Sequence, residues 1–410
     1  MKVHLNLQAA PNRTSGIGVY THELARRLAG RPHLELTGGF SSLRTRTVPL
    51  FDAYPFPVRF SRVPPRILYD PPVLSRLPVS YNALMRDRSD TSVFFANALP
   101  SARIRGRVVV VVHDLIPLRI PLELPGIVDR YRRQLDDISE RADVVVTVSQ
   151  ASAADIAAET GISPERIVIV PNGLDAAAFA RPLDATDRAS VRARYGLPDR
   201  YVLYFGGTRP YKNVGRLVEA YAQLGSRRRA EVKLVITRQD PDLRALAAAL
   251  GVSDSVVFTP PVRDEDKAAV YQLADVAVLV SLYEGFGIPV IEAMAAGTPV
   301  IASNVSSLPE VCGGAALLVD PVDTAGLTCR LEEVLEDEYL RTSLTAAGLA
   351  NAARYSWDAS ADLFDAVLTG DPARVKVTRV SWPASAGASS RPHVRKRGAG
   401  SAGRRPSRPA

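Results

Sequence analysis

Two glutamates flank a glycine-bearing turn in the stretch Ser281-Leu-Tyr-Glu-Gly-Phe-Gly-Ile-Pro-Val-Ile-Glu-Ala-Met-Ala-Ala-Gly-Thr-Pro299. The apolar run before it, Val276-Ala-Val-Leu-Val280, reads as a buried parallel strand. Gly285 and Gly287 make the turn, and Pro289 suits the first position of a helix, where a missing N–H costs nothing. Val290, Ile291, Ala293 and Met294 give that helix an apolar face, and Gly297 followed by Pro299 ends it. A turn of this kind leaves the N–H groups of Phe286, Gly287 and Ile288 at the positive end of a helix dipole, where a phosphate binds. Glu284 stands in the turn. Glu292 lies beyond it, roughly 7 Å along the helix from Gly287. The two carboxylates bracket the phosphate site as a sugar and a ribose bracket the pyrophosphate of a nucleotide sugar.

Two further sets of side chains suit the same chemistry. Gly206-Gly-Thr-Arg-Pro-Tyr-Lys-Asn213 follows an apolar run, Tyr201–Phe205, and precedes a helical pattern from Val214 to Leu224. Arg209 and Lys212 beside that loop fit a diphosphate, Arg as a bidentate fork and Lys as a point charge. The run Arg107–Val112 ends in His113-Asp114. A His at the C-terminal end of a parallel strand faces the ligand crevice of an open α/β sheet.

These residues need strands and helices to hold them. Lys2–Leu7, Thr91–Phe95, Arg107–Val112, Asp143–Ser149 and Arg166–Val170 read as strands of one half. Tyr201–Phe205, Lys233–Thr237, Val256–Phe258 and Asp275–Val280 read as strands of a second. A helix is expected over Val19–Ala29 after the Gly16-Ile-Gly18 entry, and Ser149 or its successors should cap another. Arg141-Ala-Asp-Val-Val-Val-Thr-Val-Ser149 is echoed by Leu273-Ala-Asp-Val-Ala-Val-Leu-Val-Ser281. The fold class expected is α/β, with two doubly wound, Rossmann-like parallel-sheet domains facing each other. Pro171-Asn-Gly-Leu-Asp175 is a turn by its chemistry. Asp175 to Pro198, with scattered Ala and Arg, reads as the connection between the halves. Arg44–Pro78 is rich in Arg, Pro and Tyr without a clear period.

The string Glu284-Gly-Phe-Gly-Ile-Pro-x-x-Glu292-Ala-Met-Ala-x-Gly-x-Pro299 resembles the E-x7-E motif of retaining glycosyltransferases of the GT-B fold, family 4, and the resemblance runs from Met1 to about residue 369. It implies an N-terminal acceptor-side domain over residues 1–175 and a nucleotide-sugar-binding domain over 199–355. It also implies a last helix, 357–369, that crosses back to the first domain. The implied site residues are His113 and Glu284 on the transferred sugar, Glu292 on the ribose, Val262 near the base, and Gly16 approaching the pyrophosphate from the first loop. Arg209, Lys212, Phe286, Gly287 and Ile288 would serve the diphosphate. Gly207 stands where the family often carries an Arg, so Arg209 takes that role by substitution. No metal and no cofactor are expected beyond the donor, a GDP- or UDP-hexose. The resemblance further implies retention of configuration and a glycan or lipid-linked acceptor. His113 with its neighbours, the Gly-Ile-Gly-Val-Tyr20 entry and the Arg209 loop look most like the mannosyltransferase branch, which uses GDP-mannose in surface polysaccharides or glycolipids.

The composition narrows the alternatives. With 410 residues and 46% apolar, the chain can bury two or three cores. Its opening residues are too polar for a signal peptide, no run approaches a membrane span, and Cys312 and Cys329 fit no zinc spacing. A reducing, cytoplasmic setting is therefore expected. From Ala373 onward there are ten Lys/Arg and no Asp/Glu, so of the chain's +8 the tail accounts for +10 and the rest for −2. Residues 373–410, rich in Gly, Ser, Pro and Arg, are expected to be a disordered basic tail. Such a tail suits a peripheral contact with an anionic membrane at its cytoplasmic face, and gives no reason for a specific nucleic-acid partner. Removing Ser381–Ala410 should leave the melting temperature and soluble-acceptor activity unchanged while weakening adhesion to anionic vesicles, by about 1 kcal/mol per basic residue near the surface. A large fall in melting temperature would contradict that. Two rival readings are a nucleotide-sugar epimerase of similar fold, which needs no acceptor, and a polyanion- or membrane-binding protein acting through the tail.

Overall fold

The computed structural model describes residues 1–371 except 13–14, 46, 70–73, 75–76 and 122–124. The expected tail, 373–410, lies outside the described residues. The first sheet has seven strands: β1 (Lys2–Asn6), β2 (Glu35–Ser41), β3 (Val58–Ser61), β4 (Thr91–Phe94), β5 (Arg107–Val111), β6 (Val144–Thr147) and β7 (Ile167–Ile169). Their order is β3-β2-β1-β4-β5-β6-β7. The second has six: β8 (Tyr201–Tyr204), β9 (Lys233–Ile236), β10 (Val256–Phe258), β11 (Val276–Leu279), β12 (Val300–Ser303) and β13 (Leu317–Val319), in the order β10-β9-β8-β11-β12-β13. Every pairing is parallel.

Each half therefore repeats one doubly wound order, and each reverses direction once, at β1/β4 and at β8/β11. Ligands bind outside the strand C-termini at such a reversal. In the second half those C-termini lead into the two loops that carry the diphosphate and glutamate candidates. The buried runs Val108–Val112 and Val276–Val280 are covered on both faces, as parallel strands require.

Several expectations need correction. The first helix is Gly16–Leu28, not Val19–Ala29, because Ser15 caps it and accepts from the Gly18 N–H. The connection 175–198 is largely helical, with Ala176–Ala180 capped by Asp175, and Ala185–Tyr195 capped by Asp184 and closed by left-handed Gly196. It packs on the second half, where Gln272 donates to the Phe179 carbonyl and Tyr195 donates to Asp266 at 2.6 Å. The stretch without a clear period contains β3, and β2 precedes it. Strands β12 and β13 complete the second sheet beyond the strands expected there.

The last helix, Trp357–Thr369, packs on the first half. It lies along Gly16–Leu28, where Arg27 meets Asp358 at 2.7 Å and Arg31 meets Asp362. Arg107 donates to the Leu368 carbonyl at 2.7 Å. The turn at Pro171–Asp175 sits against the start of this helix: a Cβ on Gly173 would lie 2.3 Å from the Trp357 nitrogen. Among the described residues, no helix is long and apolar enough to cross a membrane.

Candidate active site

The switch-point loops of the second half bring Lys212 and Glu284 together. Strand β8 delivers the first loop, whose short 3-10 turn Pro210–Lys212 ends at Asn213 in the left-handed region, φ 58°. The Asn213 side chain ties this turn down, donating to the carbonyls of Val280 and Pro321 at 3.0 and 2.7 Å. Strand β11 delivers the second loop. Lys212 Nζ donates to Glu284 Oε1 at 2.6 Å, and Ser281 Oγ donates to the same oxygen at 2.6 Å. The Glu284 N–H is held by Ser306 Oγ, and Ser307 Oγ donates to the carbonyls of Glu284 and Phe286. Glu284 is 6% exposed, so the pair is strong in a low local dielectric and rigidly placed. Burial opposes the charge on Lys212, but Glu284 outweighs it and raises the Lys212 pKa.

The glutamate helix is Ile288–Ala295, capped by Gly287 at φ 107°. Pro289 takes its second position rather than its first. Among the described residues, the N–H groups of Phe286, Gly287 and Ile288 find no protein acceptor. They stand at the start of the glutamate helix, where an anion could accept from them. Glu292, 6% exposed, is held by two residues not singled out from the sequence: Lys267 Nζ donates to Oε1 at 3.0 Å and Tyr271 Oη to Oε2 at 3.1 Å. Phe205 stacks on Tyr271, with centroids 5.0 Å apart. Val262 is half-buried in the loop after β10, whose Arg263 N–H donates to Tyr195 Oη at 3.2 Å. Arg209 is exposed at the start of the first loop, with no carboxylate within ion-pair distance among the described residues.

The first half supplies the opposing wall. His113 follows β5 as expected, and its N–H donates to Asn97 Oδ1 at 2.8 Å. His113 Nε2 lies 2.8 Å from the Phe95 carbonyl, which can only accept, so Nε2 carries the proton and Nδ1 is the acceptor. Burial pushes the His113 pKa down to about 4, so the ring is neutral at pH 7. Tyr20 packs edge-on against it at 5.0 Å and also against Trp357 at 5.9 Å, linking the first helix, His113 and the returning helix. Asp114 is pushed up to about 6, by burial first and also by the charge on Glu284, although the Ile116 N–H and Lys212 act the other way. Its ionisation therefore weighs against the fold as pH rises from about 4 through about 6.

The two walls touch. A Cβ on Gly285 would stand 2.5 Å from the His113 carbonyl oxygen. Ser152 Oγ lies 3.2 Å from the Gly285 carbonyl and 3.4 Å from that of His113. Tyr283 donates to Asp155 at 2.6 Å. Glu310 reaches across to the N-terminus of the helix Gln150–Thr160, taking hydrogen bonds from Ser149 and from the N–H groups of Gln150 and Ala151; burial nonetheless raises its pKa to about 7. Gly16 meets the donor-side helix too, since a Cβ on it would be 3.5 Å from Ile288 Cδ1. Among the described residues, no cluster of His, Cys, Asp or Glu side chains is arranged to hold a metal ion.

Comparison with known proteins agrees with this architecture. The family model described as Glycosyltransferase Family 4 matches residues 14–178, and that described as Glycosyl transferases group 1 matches 187–350. The chain is 33% identical to O-antigen chain mannosyltransferase B of Escherichia coli, over 62% of this chain and 67% of that one. It is 36% identical to the MMP alpha-(1->4)-mannosyltransferase of Mycolicibacterium hassiacum, over 61% of this chain and 58% of that one. With the serotype-specific mannosyltransferase WbdA of Escherichia coli the identity is 31%, over 65% of this chain and 34% of that one. The chain thus spans about a third of the length of the WbdA proteins. Among solved structures, Anabaena HepE with UDP-glucose superposes with a TM-score of 0.70 at 18% identity, over 90% of this chain and 100% of that one. Sucrose-phosphate synthase from Thermosynechococcus elongatus gives 0.68 at 20%, over 90% and 98%. These structures share the fold. The chain belongs to the family 4, group 1 glycosyltransferases, and its two facing parallel-sheet domains are the GT-B fold.

Proposed function

We propose that this protein transfers a hexose from a nucleoside diphosphate sugar to a glycan or lipid-linked acceptor, with retention of configuration. The observation that carries the reading is the Lys212–Glu284 pair beside the free N–H groups of Phe286, Gly287 and Ile288, directly under the His113 wall. An arriving diphosphate competes for Lys212 and accepts from those N–H groups, which stabilise the charge that develops as it leaves. Drawing Lys212 away frees Glu284 to accept from sugar hydroxyls. His113, neutral and with Nδ1 as acceptor, can take a hydroxyl proton in a hydrogen bond without repelling the positive charge that builds on the sugar. Glu292, held by Lys267 and Tyr271, grips the ribose.

GDP-mannose is our proposed donor, supported by the mannosyltransferase names of the relatives and by the Val112–Leu118 and Arg209 loop patterns. Calorimetric titration with GDP and UDP tests it. Preference for GDP of at least about tenfold is the expected outcome, with affinity lost in Glu292→Ala and little change in turnover at saturating donor, because a ribose contact persists from ground state to transition state. Clear preference for UDP would overturn GDP-mannose and leave the transferase reading standing. Equal kinetics of Glu292→Ala and the parent would overturn the ribose assignment.

A further inference from the structure

The first sheet has one face that departs from the rule that parallel strands are apolar on both sides. In register, Lys2 pairs with Glu35, His4 with Thr37, Asn6 with Gly39, Gly39 with Arg59, and Ser41 with Ser61. Alternation puts these residues on one face of β1, β2 and β3, with Val3, Leu5, Leu36, Phe40 and Val58 on the other. Gly39 is required there because a Cβ would lie 2.4 Å from His4 Nε2. The polar face is a connected network. Asp87, 7% exposed, accepts from Thr37 Oγ1 at 2.8 Å, from the Ser89 N–H at 2.9 Å and from Ser89 Oγ at 3.0 Å, with His4 Nδ1 3.5 Å away. His4 Nε2 meets Tyr81 Oη, and Asn6 donates to Tyr69 and Tyr81 at 2.8 Å each.

At the foot of this face, by the N-terminal ends of β1 and β2, lies a cavity of ≈ 380 Å³. Asp87, Ser89 and Thr37 line its floor, and Arg59, Arg86, Arg88 and Lys2, the last paired with Glu35 at 3.8 Å, line its rim. Among the described residues, no carboxylate lies within ion-pair distance of Arg59, Arg86 or Arg88, whereas Arg27, Arg31, Arg119, Arg141 and Arg194 are all paired. These three guanidiniums are exposed around one hollow and have N–H donors left for an incoming anion. The backbone also holds them there: Arg86 sits at φ 51°, costly for a residue with a Cβ, and its carbonyl accepts from the Arg59 guanidinium. Asp87 and Glu35 are the carboxylates of the lining, and the four basic side chains outnumber them, so the hollow keeps a net positive charge. The hollow is roughly one strand length, about 16 Å, from the crevice at the strand C-termini.

We propose that this hollow is a second anion site, one that takes a phosphate-bearing ligand, either a free phosphorylated metabolite or the headgroup of an anionic lipid. Planar guanidiniums, each with several N–H donors, suit the oxygens of a phosphoryl group. The site is independent of the donor reading, since it shares no residue with the crevice.

The test titrates the full chain with inorganic pyrophosphate in the presence of saturating GDP and UDP, which fill the donor crevice. Saturable binding that weakens with salt is expected, reduced about tenfold or more in R59Q/R88Q. R88Q alone should weaken it with no change in melting temperature, because Arg88 makes no ion pair that the fold uses. In parallel, the chain is sedimented with phosphatidylcholine vesicles with and without phosphatidic acid. Binding to phosphatidic acid that is lost in R59Q/R88Q, with no binding of free pyrophosphate, assigns the ligand to a lipid headgroup. Binding of pyrophosphate assigns it to solution. Failure of both, or equal binding by the parent and R59Q/R88Q, overturns the site.

Discussion

Glu284→Ala is expected to lower turnover by about 10²- to 10³-fold, the scale seen when one preorganised group is removed from a transition-state site. The reason is specific to its surroundings. Glu284 is buried, fixed through its backbone by Ser306 and Ser307, and bonded by Lys212 and Ser281. Its removal would take away the proposed sugar contact and also leave Lys212 half-buried without its partner. Lys212 then has a different position and a lower pKa, so diphosphate stabilisation suffers as well. A double-mutant cycle separates these effects. Lys212→Ala and Glu284→Ala act on one unit, so the double variant should lose much less than the product of the single losses. Glu284→Gln keeps volume and the Ser281 bond, and should retain more stability than Glu284→Ala while losing most of the turnover. Parental kinetics in both Glu284 variants at saturating donor would remove Glu284 from the site.

How far this arrangement could be read in advance depended on the distance over which each signal acts. Local chemistry was legible. The Val108–Val112 run made β5 and placed His113 at its end; Ser149 capped the next helix; Gly287 and Pro289 opened the glutamate helix. The helices within the 175–198 connection were not singled out although their signals are present, since Asp175 and Asp184 are N-caps and Gly196 a C-cap. Scattered Ala and Arg hid the narrow apolar stripe, Val191 and Tyr195, that docks the second of these helices. Strand β2 escaped because its polar face is buried in a hydrogen-bonded network, and β3 because it is a four-residue edge strand with Arg59 and Phe60 exposed; alternation and apolar runs reveal neither. Pairings across the fold were illegible for a different reason. Lys212 and Glu284 are 72 residues apart, and only the β8/β11 reversal makes them neighbours. Lys267 and Tyr271, one turn apart on a short helix, acquire meaning only when Glu292 lies opposite them. Motif spacing identified the glutamates; the residues that hold them came from topology.

Gly285→Ala should reduce kcat/KM by about 10²-fold while leaving nucleotide affinity nearly intact. Gly285 does not occupy the left-handed region, so alanine can adopt its backbone without strain. The obstacle is across the cleft. The new Cβ would stand 2.5 Å from the His113 carbonyl oxygen and 2.8 Å from Asp114 Cβ. An ordinary carbon–oxygen contact is roughly 3.5 Å, so the two walls must part by about 1 Å. No flexible side-chain end can absorb this, because the struck atoms are backbone and a Cβ. Ser152 would lose its bridge between the Gly285 and His113 carbonyls. A misplacement of about 1 Å between reacting groups costs on the order of 10²-fold in rate. Lys212, Glu292 and the N–H groups of Phe286, Gly287 and Ile288 all belong to the second domain, so the nucleotide contacts proposed for them would be kept. The discriminating measurement is therefore paired: calorimetry with GDP and UDP beside steady-state kinetics. Gly287→Ala is the contrast. There φ is 107° and the Cβ would lie 2.6 Å from Leu308 Cδ2, so strain falls within the second domain, and both stability and nucleotide affinity should drop. Undiminished turnover in Gly285→Ala would mean that the reacting geometry does not depend on the approach of His113 to the glutamate turn.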